Sequence, residues 1–94
     1  MKMYKLEDVN SGRIWEAESV KWAQRDLRGG IKNWEDGGPH VGNILVLDFE
    51  YSDGMGSFYS FCSDKITEIV NWKGKNIHFK TEGDKEYKLS FKFS

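Results

Sequence analysis

Ser19-Val20-Lys21-Trp22-Ala23-Gln24-Arg25-Asp26-Leu27-Arg28-Gly29-Gly30 is the stretch on which the fold class turns. Val20, Ala23 and Leu27, with Gln24 beside them, recur at helical spacing and predict one apolar helical face. Ser19 stands where an N-cap hydroxyl would accept from a free backbone N–H of the first turn. Arg25 and Arg28 lie near the far end, where cations complement the helix dipole. Gly29-Gly30 supplies the left-handed stop. On this reading Trp22 sits on the helix flank, away from the core.

Everything around that stretch reads as strand and turn. Tyr4 and Leu6 alternate with charged neighbours, Asn10-Ser11-Gly12 is a turn signal, and Arg13 to Ala17 returns as the second strand of a hairpin. Residues 31–43 hold Gly37, Gly38, Pro39 and Gly42 and predict a long loop, the kind that often carries function. Ile44 to Tyr51 and Ser57 to Cys62 form two strands joined at Asp53-Gly54-Met55-Gly56. Ile66 to Trp72 and Ile77 to Thr81 follow, separated by a turn at Lys73-Gly74-Lys75-Asn76. Residues 64–71 also suit a helical period, but their β-branched content and the tight turn after Trp72 favour strand. Glu86 to Phe93 alternates Tyr87, Leu89, Phe91 and Phe93 with Lys88, Ser90 and Lys92. The expected architecture is one α+β domain over residues 1–94. A single helix packs on a mostly antiparallel, meandering sheet in the order β-β-α-β-β-β-β-β.

Composition narrows the class. Ninety-four residues allow one small core, and six Phe, four Trp and four Tyr give it large buried areas per side chain. The longest apolar run, Ile44 to Leu47, is far too short to span a bilayer, so no membrane role is expected. Met1-Lys2-Met3-Tyr4-Lys5 has no apolar stretch behind it and does not read as a secretory signal. One cysteine, Cys62, excludes an internal disulfide and suits a cytoplasmic home.

A net charge of −1 hides an uneven layout. Between Lys32 and Lys65 there is no Lys or Arg, while Glu35, Asp36, Asp48, Glu50, Asp53 and Asp64 all fall there. Both flanks are basic. Charge asymmetry of this kind speaks about partners rather than fold. Trp34 stands beside Glu35 and Asp36, either closing over the sheet edge or anchoring an interface. Trp34, Glu35, Asp36, Asp48, Glu50 and Asp53 are therefore the candidate partner-binding residues, the indole as anchor and the carboxylates as partners for Arg or Lys.

Catalytic signatures are missing from the sequence. Asp48 and Glu50 share a strand face, and with Asp53 and His40 they could build an oxygen-rich divalent-metal site for a small nuclease. The simpler reading leaves them solvated opposite Leu45, Leu47, Phe49 and Tyr51. His78 falls on the polar face beside Lys80, with no partner that would make it a general base. Cys62 reads as a small buried hydrophobe rather than a nucleophile. No cofactor, metal or catalytic residue is expected. Lys73, Lys75, Lys80, Lys85, Lys88 and Lys92 could meet nucleic acid directly, but Tyr87, Phe91 and Phe93 point to the opposite side. Single-strand binders instead interleave exposed aromatics with cations on one face.

The two ends resemble small phage proteins. Met3-Tyr4-Lys5-Leu6 through Ile14-Trp15-Glu16-Ala17-Glu18-Ser19 is similar to the start of several of them. Ile69-Val70-Asn71-Trp72 through Asn76-Ile77-His78-Phe79-Lys80-Thr81 to Tyr87-Lys88-Leu89 looks like their hairpin tails. Some anti-CRISPR inhibitors share this size and style. The resemblance implies a compact, cofactor-free, non-enzymatic protein that disables a larger host machine by binding it. The expected partner is a host protein or ribonucleoprotein with a basic groove, such as Cas9 with its guide RNA. Attraction between acidic and basic surfaces would speed the encounter.

Overall fold

The computed structural model describes residues 2–25, 30–35, 38–52, 54 and 56–92, with backbone alone at 33–35, 51, 52 and 57. Among the described residues there is no helix, and the fold is all-β. The strands are β1 (Tyr4–Asp8), β2 (Ile14–Ala17), β3 (Val20–Arg25), β4 (Ile31–Glu35), β5 (Ile44–Leu47) and β6 (Glu50–Ser52). They continue with β7 (Gly56–Phe58), β8 (Phe61–Cys62), β9 (Ile66–Lys73), β10 (Asn76–Thr81) and β11 (Lys85–Phe91). A five-stranded antiparallel sheet runs β2-β1-β11-β10-β9 and a four-stranded one runs β4-β3-β5-β8. Among the described residues β6 and β7 pair only with each other.

The expected α+β class, with its helix after Ser19, is thus corrected. Val20 to Arg25 is a strand, antiparallel to β5 on one side and β4 on the other. A short segment can satisfy both periods, and here Trp22 decides between them. In a strand Val20 and Trp22 fall on the same face, and Trp22 is 4% exposed, its ring edge-on to Phe79 with centroids 5.9 Å apart. A helix would have left that indole on its flank, forfeiting one of the largest apolar areas in the chain. Ser19 caps nothing. It lies in the two-residue step Glu18–Ser19, through which the chain leaves the five-stranded sheet and enters the other. The predicted loop at 31–43 is also partly strand, since β4 occupies Ile31–Glu35.

The core lies between the sheets. Leu6, Ala17, Ile66, Ile77, Phe79, Tyr87 and Leu89 from one meet Trp22, Leu45 and Leu47 from the other. Trp15 stacks at a tilt on Phe61 across the gap, with centroids 4.5 Å apart. β5 is buried at every position, because Ile44 and Val46 turn away from this core into a second cluster with Ala23, Ile31, Phe49 and Cys62. A strand covered on both faces needs a continuous apolar run, and Ile44-Leu45-Val46-Leu47 is that run. Inside, Ser63 is buried yet satisfied: its Oγ accepts from Leu45 N–H at 2.9 Å and donates to Asp64 O at 2.8 Å.

The predicted hairpin between Ile44 and Cys62 forms, but it is broken. Leu47 faces Phe61 in β5–β8, and Glu50 faces Phe58 in β6–β7, so the register is unchanged across the break. The ladder fails only around Asp48–Phe49 and Tyr59–Ser60. Asp48 takes the left-handed conformation, φ 52°, which Asp tolerates better than most residues. The kink ends the four-stranded sheet there and sends β6 and β7 on as a separate two-stranded arm.

Candidate partner-binding surface

Asp48, a candidate for partner contact, is also tied into the protein by hydrogen bonds. Its Oδ1 accepts from the backbone N–H of Glu18 at 2.8 Å and of Ser19 at 3.2 Å. Its own N–H donates to Ser19 O at 3.0 Å, and Ser60 Oγ donates to Oδ2 at 3.4 Å. One carboxylate therefore ties the step between the sheets to the kink of the arm. Carboxylate–amide bonds are among the stronger hydrogen bonds of a fold.

Glu50 keeps the exposed position expected of it, at the root of the arm. Its cross-strand neighbour Phe58 is 49% exposed, and Tyr59 is 47% exposed. Two adjacent, half-exposed aromatics beside a carboxylate are the feature that sequence reading missed. Their place in a strand of the acidic block was visible, but their exposure was not. Beside the arm a concavity of about 570 Å³ is lined by Glu18, Asp48 and Glu50, with Lys2, Ser19 and Phe49. Trp34 and Glu35 lie on β4, where the structure gives their backbone only. Asp36 and Asp53 lie outside the described residues. The six predicted residues are thus not shown to form one cluster; Asp48 and Glu50 come together, with Glu18 added.

The other chemical candidates resolve differently. Among the described residues no group of three His, Cys, Asp or Glu side chains is placed to hold a metal ion. His78 does have a partner. Its Nε2 pairs with the carboxylate of Glu86, which sits diagonally across the β10–β11 hairpin on the same face. The signal was available, because the turn at Glu82–Asp84 sets that register. Ser90, whose hydroxyl lines the same groove, directs its Oγ to Lys5 O at 3.5 Å. Cys62 is half-buried, and that burial pushes its thiol pKa up. Arg25 Nη2 donates to the sulfur at 2.9 Å and pulls the other way, but burial prevails. A raised pKa disfavours the thiolate, which is the nucleophilic form.

The outer face of the five-stranded sheet bears on the nucleic-acid alternative. Register places Lys5, Lys73, Lys80 and Lys88 there, interspersed with Glu7, Glu16, Glu68 and Glu86. Lys92 Nζ is paired with Glu16 at 3.2 Å. A phosphate backbone would meet nearly as many carboxylates as ammonium groups, and among the described residues no Phe, Tyr or Trp interleaves with the lysines.

The chain matches no family model, no curated protein and no solved structure. No helix among the described residues is long and apolar enough to cross a membrane.

Proposed function

We propose that this is a small, non-enzymatic binding protein that engages the basic surface of a nucleic-acid enzyme through the β6–β7 arm. The observation that carries the reading is the arm itself. It pairs with neither sheet, and it presents Phe58 and Tyr59 half-exposed beside Glu50 in a segment without Lys or Arg. Exposed aromatics next to charge are the usual anchors of protein interfaces, and acidic neighbours select a cationic partner. Glu18 and Asp48 extend the negative surface along the adjoining concavity. That the partner is a host enzyme disabled by binding, in the manner of an anti-CRISPR inhibitor, is what the resemblance of the two ends implies. Guide-loaded Cas9 is the first partner to try.

The test is a titration of the chain into guide-loaded Cas9, with binding and target cleavage followed together. A parallel affinity capture from nuclease-treated bacterial lysate would find a different enzyme of the same kind. Replacing both aromatics, Phe58→Ser with Tyr59→Ser, is expected to weaken binding about thirtyfold or more, the size of one interface anchor. Glu50→Lys is expected to weaken it less and to change its salt dependence. Undiminished affinity in both folded variants would overturn the arm as the contact surface.

A further inference from the structure

At one end the two sheets part, and the open-sided gap between them has a volume of about 170 Å³. Tyr4, Trp22 and Trp72 give it aromatic walls, Ile77 and Leu89 line it, and Lys75 stands among the lining residues. This is far from drug-sized, but a dry cavity of ~150 Å³ is known to hold benzene, so the space suits one six-membered ring.

Two features make the gap a prepared site rather than a packing fault. The first is Trp72. Its Nε1–H donates to Gly74 O at 2.9 Å. The far edge of its indole lies over Gly38 so closely that a Cβ there would stand 2.3 Å from Cζ2. The ring is thus fixed at two points, and yet 46% of the residue stays open to solvent. An indole held in place with its surface uncovered has already lost the entropy that stacking on a ligand would cost. The second is Lys75. Its Nζ lies 4.1 Å from the centroid of Phe91, and no carboxylate pairs with it among the described residues. A cation–π contact positions that ammonium without neutralising it.

We infer that the gap binds a small planar aromatic carboxylate, its ring against Trp22 and Trp72 and its carboxylate on Lys75 Nζ. The site is separate from the β6–β7 arm and shares no residue with it.

The test is an NMR titration of the intact chain with sodium benzoate, reading the indole N–H resonances of Trp22 and Trp72. Acetate and benzyl alcohol serve as probes lacking the ring and the charge. Benzoate is expected to give saturable shifts at both indoles, with weaker binding by either control. Lys75→Ala is expected to weaken benzoate about fivefold, the size of one partly exposed charge pair, and to leave benzyl alcohol unchanged. Lys75 is exposed, so the variant should keep the parent spectrum elsewhere. No saturable shift with benzoate, equal shifts with acetate, or unaltered benzoate affinity in Lys75→Ala would each overturn the assignment.

Discussion

Replacing Asp48 tests whether one side chain couples the body of the protein to its arm. Asp48→Ala removes the acceptor of two backbone amides, Glu18 N–H and Ser19 N–H, along with the weaker contact to Ser60. Hydrogen bonds to a charged group contribute about 1.5–3 kcal/mol each, and the partial exposure of this one argues for the low end of that range. Alanine must also hold φ near 52°, which costs roughly 1 kcal/mol more than it costs Asp or Asn. The total is about 3–4 kcal/mol, a large share of the 5–15 kcal/mol that holds a typical domain together. Asp48→Gly relieves the backbone cost but not the lost acceptor, and should fall about 1 kcal/mol short of alanine. Asp48→Asn keeps an acceptor and tolerates the left-handed backbone, and should lose only about 1 kcal/mol. Urea unfolding of the four proteins, read by tryptophan emission, gives the ranking Asp, Asn, Gly, Ala. An alanine variant within about 1 kcal/mol of the parent would show that Asp48 does not clamp the step between the sheets.

Phe79→Ala, at a position with no exposure between Trp22 and Tyr87, should cost about 3–5 kcal/mol in the same assay. Gly38→Ala should displace the Trp72 indole and destabilise the parent more than it destabilises a Trp72→Ala background, which a double-mutant cycle would measure. Alkaline pH should weaken the fold. Burial raises the pKa of the Cys62 thiol above 9.0 and of the Tyr87 phenol above 10.0, so the folded state holds both protons more tightly than the unfolded state. Their contribution is complete below those values and is lost as pH rises through the folded pKa values. Cys62→Ala should flatten the first part of that decline. Iodoacetamide should likewise modify Cys62 more slowly in the native chain than in urea.

The strands were legible where one period alone fitted. Tyr87, Leu89 and Phe91 alternate with Lys88 and Ser90, and β11 follows that pattern. The β1–β2 hairpin and the β9–β10 turn also stand close to where turn residues put them. Val20 to Arg25 was misread because Val20 and Ala23 satisfy a helical stripe while Val20 and Trp22 satisfy a strand face. The choice depended on Phe79, far along the chain, which offers Trp22 its place. The internal bonds of Asp48 escaped notice for a related reason. Alternation puts it on a solvated strand face, whereas its carboxylate accepts from amides 29 and 30 residues earlier. No local pattern records such a contact. The exposure of Glu50 was legible because its neighbourhood is local: an acid in a hairpin whose register the sequence implied.

The placement of β1 between β2 and β11 bears on how this chain reaches its native state. Lys5 pairs with Ser90, and Ser90 Oγ reaches Lys5 O across 85 residues. The loop that must close for that pairing is nearly the whole chain, so its entropy is spent before the central strands gain anything from it. On a ribosome the first hairpin would wait, with one edge of β1 open, until Lys85–Phe91 had left the exit tunnel. Chains with such distant pairings fold on the scale of milliseconds to seconds rather than microseconds. During that interval Tyr4 and Leu6 offer other chains an apolar strand edge, so co-translational yield depends on how quickly the last strand arrives.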